Sequence, residues 1–174
     1  QYVDKSNDST KVIKLAVDEC LKNGITSFQD AGTSRKSLKM IRDAIKDNEL
    51  KVRIYSMLTS RDESLLEEWY QKGPAIGLAD DYLTVRSIKL NADGALGSRG
   101  AWLLDEYTDR PGHFGMATQP MKYVYDVSKK GIQSGFQVNT HAIGDRTNRE
   151  VLDQYEKVFL EYNDLSFDHR WRIE

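Results

Sequence analysis

Two hydrophobic periods alternate along the chain. Residues 10–23 place Val12, Ile13, Ala16, Val17, Cys20 and Leu21 at helical spacing. Ser9 or Thr10 is placed to cap the start, and Gly24 stands where a terminating glycine belongs. Ile25-Thr26-Ser27-Phe28-Gln29 then reads as a short strand, closed by Asp30-Ala31-Gly32. Ser34 is placed to cap a second helix running to about residue 48, with Leu38, Ile41, Ala44 and Ile45 on one face. The cycle repeats with a strand from Val52 to Leu58, a helix over 62–72 stopped by Gly73, and a strand from Leu83 to Asn91. A long glycine-rich loop follows, from Ala92 to about Gln119. Pro120 suits the first turn of a helix that ends at Gly135, and Phe136 to Thr140 reads as a strand. Thr147 and Glu150 fit a capping box for one more helix, and the last strand is expected at about 169–174.

Five strands alternating with helices predict right-handed βαβ units and a parallel sheet. The sheet could be an open doubly wound one or part of a (β/α)₈ barrel. A complete barrel needs roughly 250 residues, so 174 residues would hold an incomplete one, as a single domain over 1–174. Strand faces help to choose. Gln137, Asn139 and His141 alternate with Phe136, Val138 and Thr140, and Val85, Ser87, Lys89 and Asn91 share one face of their strand. A doubly wound sheet is covered on both faces and tends to be apolar on both. Polar side chains on one face of successive strands suit the inside of a barrel better, so the expected class is α/β, a partial TIM (β/α)₈ barrel.

Composition narrows the function. Hydrophobic residues make up 39%, charged residues 30%, and there are 3 prolines, which excludes collagen-like, low-complexity and disordered classes. With 25 basic and 27 acidic residues there is no polycationic field to favour nucleic acid. No apolar run reaches the roughly 18 residues of a membrane span. A single cysteine, Cys20, excludes an intramolecular disulfide and a cysteine-only zinc cage. The sequence starts at Gln1 without a signal-peptide pattern and stops at Glu174 just after a strand-like run. The expectation is a piece of a longer chain, with the cytoplasm as default compartment.

Several residues could carry chemistry. Lys89 lies mid-strand, where an unpaired charge would be costly. It is either paired with a neighbouring carboxylate or a neutral lysine serving as base, Schiff-base former or carboxylated metal ligand. His141 ends its strand, and the C-terminal ends of barrel strands are where catalytic residues stand. The loop after Asn91 matches no phosphate-binding glycine pattern, but its position suggests that it shapes a site. Asp93, Arg99 and His113 are its candidates for substrate contact, although such residues taken singly are more often solvated. His169 reads as structural, and Trp69, Trp102 and Tyr107 as packing residues. Ser98 lacks a nucleophile-elbow context.

Three segments together resemble one family. They are Ser87-Ile88-Lys89-Leu90-Asn91-Ala92-Asp93-Gly94-Ala95-Leu96-Gly97-Ser98-Arg99-Gly100-Ala101, Gln137-Val138-Asn139-Thr140-His141-Ala142-Ile143-Gly144-Asp145-Arg146, and Arg170-Trp171-Arg172-Ile173-Glu174. They resemble the YtcJ-like branch of the amidohydrolase superfamily, which includes N-substituted formamide deformylase. Gly24 to Gly32 fits an earlier strand of the same family. The resemblance implies a metal-dependent (β/α)₈ hydrolase barrel with a small flanking β-domain, in which the five strands here are strands 2 to 6. It implies metal ligands from an H-x-H motif on strand 1, a carboxylated lysine on strand 4, histidines on strands 5 and 6, and an aspartate on strand 8. By motif match, Lys89 is the strand-4 lysine and His141 the strand-5 histidine. The strand-6 histidine would follow Glu174 directly, and the H-x-H motif and strand-8 aspartate have no match here.

The function so implied is hydrolysis of C–N bonds in a small-molecule amide or formamide by metal-activated water, with zinc as the default divalent metal. These residues alone are expected to be inactive, and open sheet edges are expected to promote self-association. The alternative is a βα-fold interaction module that has lost the chemistry. An open-sheet sugar- or nucleotide-binding domain ranks last, because its glycine motifs are missing.

Overall fold

The computed structural model describes residues 8–163 and 168–174. The element order is α1 (Asp8–Lys22), β1 (Ser27–Thr33), α2 (Arg35–Lys46), β2 (Arg53–Thr59), α3 (Glu63–Lys72), β3 (Ala75–Gly77), α4 (Leu78–Asp81), β4 (Leu83–Asn91), α5 (Met121–Gln133), β5 (Gln137–His141), α6 (Asp145–Glu161) and β6 (Arg172–Ile173). Local chemistry explains most boundaries. Ser34 caps α2, its hydroxyl accepting from the Ser37 amide at 3.1 Å. Asp62 does the same for α3 through the Leu65 amide at 2.9 Å, and Gly73 ends that helix at φ 75°. Pro120 stands at the entry to α5.

Four departures from the sequence pattern have physical causes. The first strand starts two residues later than expected and continues to Thr33, because a register shift at Gly32 (φ 115°) keeps the chain in the ladder. A short strand, β3, pairs antiparallel with β4 at Val85, before β5 joins β4 at Ser87. It leads into a single turn in which Ala79, Asp80 and Asp81 all have positive φ, a conformation that the sequence does not announce. Helix α6 begins at Asp145, so Thr147 lies inside its first turn and forms no capping box with Glu150. The last strand is only Arg172–Ile173, although the Glu174 amide still donates to the Thr140 carbonyl at 3.0 Å.

The main sheet runs β1-β2-β4-β5-β6, all parallel. It is strongly curved. In a flat sheet the first and fifth strands would be roughly 19 Å apart. Here Arg172 on β6 donates to Gln29 on β1 at 2.5 Å, and Tyr55 on β2 donates to Gln137 on β5, reaching over β4. Only a concave face brings these side chains together. The sheet is thus an open arc of a (β/α)₈ barrel, with polar residues on its inner face.

The hydrophobic core lies on the convex side, under the helices. Ile88, Leu90 and Val138 from the sheet meet Val124, Val151 and Phe136, the residue before β5, all without solvent exposure. Each such side chain contributes roughly 1.5–3 kcal/mol. Helix α1 is less embedded than its pattern suggested. Val17 is buried, whereas Val12, Leu15 and Leu21 are exposed, because α1 packs chiefly on α2. The short β6 is secured by rings instead of ladder length. Trp171 packs 4.8 Å from Tyr155 and 4.7 Å from Phe159, centre to centre, and its indole donates to the Phe136 carbonyl. His169 lies against Phe159 in the same cluster, consistent with a packing role. No helix among the described residues is long and apolar enough to cross a membrane.

Glycines let the 92–119 loop thread against the barrel end. A Cβ added at Gly144 would lie 1.9 Å from the Trp102 carbonyl oxygen, while one at Gly97 would meet open space. Gly144→Ala is therefore expected to destabilise the fold by roughly 2–3 kcal/mol. Gly97→Ala should stay within about 0.5 kcal/mol. Thermal melts of the two variants against the parent check this contrast.

Candidate functional site

The site is built at the C-terminal ends of β4 and β5. Lys89 pairs in register with Asn139, and Asn91 with His141. Parallel partners project to the same side, and side chains alternate along a strand, so Lys89 and His141 share the concave face. Around them stand Ser87, Asn139, Arg172 and Glu174. The Asn139 amide, oriented with its oxygen toward its two donors, accepts from Ser87 Oγ at 2.5 Å and from Arg172 at 2.9 Å. Arg172 also lies 3.5 Å from Glu174.

Lys89 is 7% exposed. Its Nζ donates to the Leu90 carbonyl at 2.9 Å and lies 3.7 Å from Glu174 Oε1. Burial pushes the ammonium below the ordinary lysine value, and the attraction of Glu174 opposes this without cancelling it. The carboxylate partner posed by the sequence is therefore present, and burial still holds the amine below the ordinary lysine value. His141 is more open, with 28% of its side chain exposed, and its Nε2 lies 3.9 Å from Asp93 Oδ1.

Asp93 departs from the expectation of a substrate contact. Its side chain has no solvent exposure. Oδ2 accepts from the Trp102 amide at 3.0 Å, the Gly144 amide at 2.8 Å and Thr147 Oγ1 at 2.6 Å. Oδ1 accepts from the Ile143 amide at 3.0 Å. The carboxylate thus caps α6 from the loop after β4 and ties that long loop to the helix. The loop is pinned further by Leu104, whose amide donates to Asp145 Oδ1 at 2.9 Å, and by Arg146 stacked over Trp102. Burial by itself would raise the Asp93 carboxyl. The hydrogen bonds from Thr147, Ile143, Gly144 and Trp102 outweigh it and hold the group below the usual carboxylate range.

The other two loop candidates are engaged with each other's backbone and neighbours. The Arg99 guanidinium forks onto Asp109 at 3.1 and 2.7 Å. The His113 ring pairs through Nε2 with the Arg99 carbonyl at 2.8 Å and lies against Tyr107. These contacts give the loop its own internal structure; they bring Arg99 and His113 together and leave part of Arg99 exposed. Sequence reasoning missed Arg172, Glu174 and Thr147. For the first two, the alternation beyond His169 offered a signal, since Arg172 and Glu174 fall on one face of a strand. For Thr147 there was none, because its partner lies 54 residues away. No group of three His, Cys, Asp or Glu side chains able to hold a metal occurs among the described residues.

A model of the amidohydrolase family matches residues 6–174. The chain belongs to this family. Among curated proteins, this amidohydrolase is 36% identical over 110 residues to LONG AFTER FAR-RED 3 of Arabidopsis thaliana, covering 63% of this chain and 18% of that protein. It is 35% identical over 80 residues to YtcJ of Bacillus subtilis (strain 168), covering 46% of this chain and 15% of that one. Crystal structures of two uncharacterized metal-dependent hydrolases share the fold. The one from Pyrococcus horikoshii OT3 superposes with a TM-score of 0.78 at 26% identity, over 87% of this chain and 30% of its own. The one from Pyrococcus furiosus gives 0.79 at 27% identity, over 89% and 33%. The amidohydrolase chain described here thus spans less than a fifth of the curated relatives and about a third of the two crystallised hydrolases.

The Asp93 cap has a pH signature. A carboxyl held low in the folded state adds stability above its unfolded pKa, roughly 3.9. That stability disappears as pH falls through the lower folded value. Removing one bond to the carboxylate raises the folded value, so Thr147→Val is expected to unfold at a higher pH than the parent. Circular dichroism across an acid series reads the two midpoints.

Proposed function

We propose that Lys89 and His141 are two ligands of a divalent metal, zinc by default, in an enzyme that hydrolyses C–N bonds of small amide or formamide molecules. One observation carries this reading: a buried lysine shifted toward neutrality and a partly open imidazole share one concave face at the C-terminal strand ends. Both groups suit a metal. The imidazole offers a nitrogen donor, and a neutral amine can add its lone pair to CO₂, release a proton and become a carbamate anion, an oxygen donor. They form part of a ligand set, since the sequence contains no H-x-H pair and no third metal-binding side chain joins them among the described residues. When bound, a divalent cation supplies Lewis acidity and activates water near neutral pH.

The chain's own residues have separate tasks in this reading. The bond to the Leu90 carbonyl fixes the direction of the Lys89 stem. Glu174 would pair with the lysine while it is a cation, and Arg172, 3.5 Å from Glu174, would pair with that carboxylate once a carbamate replaced the cation. The loop that Asp93 ties down walls the C-terminal end of β4 and β5. Arg99, partly exposed on that loop, is the residue retained for substrate contact. By themselves these residues supply too few donors for turnover. We also propose that the edges of β1 and β6, which have no further strand partner among the described residues, pair with a second copy, which light scattering over a concentration series would detect as a mass above 19.9 kDa.

Zinc titration against a competing chelator tests the ligand assignment. Bicarbonate should strengthen zinc binding by the parent and have no effect on Lys89→Ala. His141→Ala should weaken binding tenfold or more. In parallel, amide and formamide hydrolysis is assayed in the full gene product. Zinc binding indifferent to both substitutions sinks the ligand assignment, and turnover that survives both sinks the proposed reaction.

A further inference from the structure

At both ends of the sheet the outer layer of helices exposes apolar surface. On the β6 side, α6 and the segment leading into β6 enclose an open groove of about 740 Å³. Leu152, Phe159, Leu160 and Trp171 line it, and Leu152 and Leu160 are 54% and 69% exposed. The polar ends of two of its aromatic walls are already used. The Tyr155 hydroxyl meets Thr140 Oγ1 at 2.6 Å, and the Trp171 indole donates to the Phe136 carbonyl at 3.3 Å. The groove therefore presents ring faces and aliphatic side chains, which suit the apolar face of a helix.

On the β1 side, α1 has two apolar faces. Ile13, Val17 and Cys20 pack into or against the core. Val12, Leu15 and Ala16, spaced as i, i+3 and i+4, form a second stripe that is exposed, Val12 at 53% and Leu15 at 59%. One apolar face is enough for a helix that borders solvent; a second points to contact with another element. The topology fixes where that contact lies. In a parallel βα sheet each helix packs between the strand it precedes and the strand before that one. Helix α1 precedes β1, and among the described residues no strand stands beside β1 on that side or beyond β6 on the other. A β1 strand from a second copy, added parallel to β6, would carry its α1 onto β6 alongside α6, where the groove is.

We propose that this chain associates head to tail. β1 of one copy extends the sheet at β6 of the next, and the Val12–Leu15–Ala16 stripe of its α1 seats in the groove between α6 and Trp171. The rims carry opposite charge. Lys11 and Lys22 border the stripe on its solvent side, whereas Asp153 and Glu156 border the groove on α6. Glu19, at the end of the stripe, already has Lys22 3.8 Å away. The inference rests on the edge pairing proposed above, and it adds the polarity of that pairing and the helix contact that selects it. A heterologous contact of this kind continues from copy to copy unless it closes into a ring.

The 174-residue chain is studied by sedimentation velocity across a concentration series. The parent is expected to exceed the 19.9 kDa of the monomer. Leu15→Glu and Leu160→Glu, both at exposed positions, should each weaken association by about tenfold or more. Mixed in equal amounts, the two variants should recover a complex that stops at two copies, since one intact α1 and one intact groove remain. Ile76→Glu, at an exposed position on β3, should leave the mass as in the parent. A parent that stays monomeric at its highest soluble concentration overturns edge pairing and helix contact together, whatever the variants do. Association indifferent to both substitutions removes the helix contact and leaves edge pairing standing. Sensitivity to only one of them, or no recovery on mixing, overturns the head-to-tail arrangement.

Discussion

A carboxylate sealed from water must be satisfied by the chain itself, and the way Asp93 is satisfied organises the functional end of this molecule. Its donors come from the long loop, from the turn after β5 and from the first turn of α6. Each is a backbone or hydroxyl group that would otherwise be left unpaired as the segments close, at a cost of about 1–3 kcal/mol apiece. The helix end contributes as well, since exposed amides at an N-terminus favour a negative charge. That terminus is consequently filled by a protein side chain. It is not an anion-binding site, even though it lies at the end of the barrel where ligands are expected.

The concave face follows a related rule at larger scale. Curvature carries β1 and β6 toward each other, so polar side chains on the inner face reach partners several strands away. Arg172 meets Gln29, Asn139 and Glu174, and Tyr55 meets Gln137. Burial raises the Tyr55 phenol and keeps it a neutral donor, as its bond to Gln137 requires. A flat sheet with the same sequence would strand these groups. The convex face is mostly apolar and covered by helices, and its buried Thr140 hydroxyl is met locally by the Tyr155 hydroxyl of α6 at 2.6 Å. The division between a dry outer core and a polar inner surface is therefore what allows a charged site to exist inside the fold.

Much of this was legible in the sequence. Strand parity placed Lys89 and His141 on one face, and the register between β4 and β5 has them there. Ser34, Gly73 and Pro120 marked element ends by their local chemistry. The parts that were not legible depend on distant partners. Thr147 followed by Glu150 has the spacing of a capping box, but the hydroxyl is claimed by Asp93 and the helix starts two residues earlier. The left-handed turn at Ala79–Asp81 has no glycine to announce it. Asp93 read as a candidate for substrate contact, because nothing nearby shows that amides around residue 143 will converge on it. Short-range patterns encode elements and faces, whereas the satisfaction of a buried charge is a property of the assembled fold.

Lys89 and Glu174 show how such a balance decides chemistry. Two unit charges 4 Å apart attract by about 4 kcal/mol at an effective dielectric of 20. Removing an ion from water costs several kcal/mol, so the outcome depends on small differences in distance and access. At 3.7 Å the carboxylate is close enough to stabilise the ammonium but too far to take a hydrogen bond from it. The lysine's direct bond goes to a neutral carbonyl instead, which does less for a cation. Burial wins, and the amine is left nearer to its neutral form than a surface lysine. Had Glu174 approached within hydrogen-bond distance, the pair would have locked the lysine as a cation and closed off any use of its lone pair. Burial, opposed only in part by this loose ion pair, is what holds Lys89 below the ordinary lysine value.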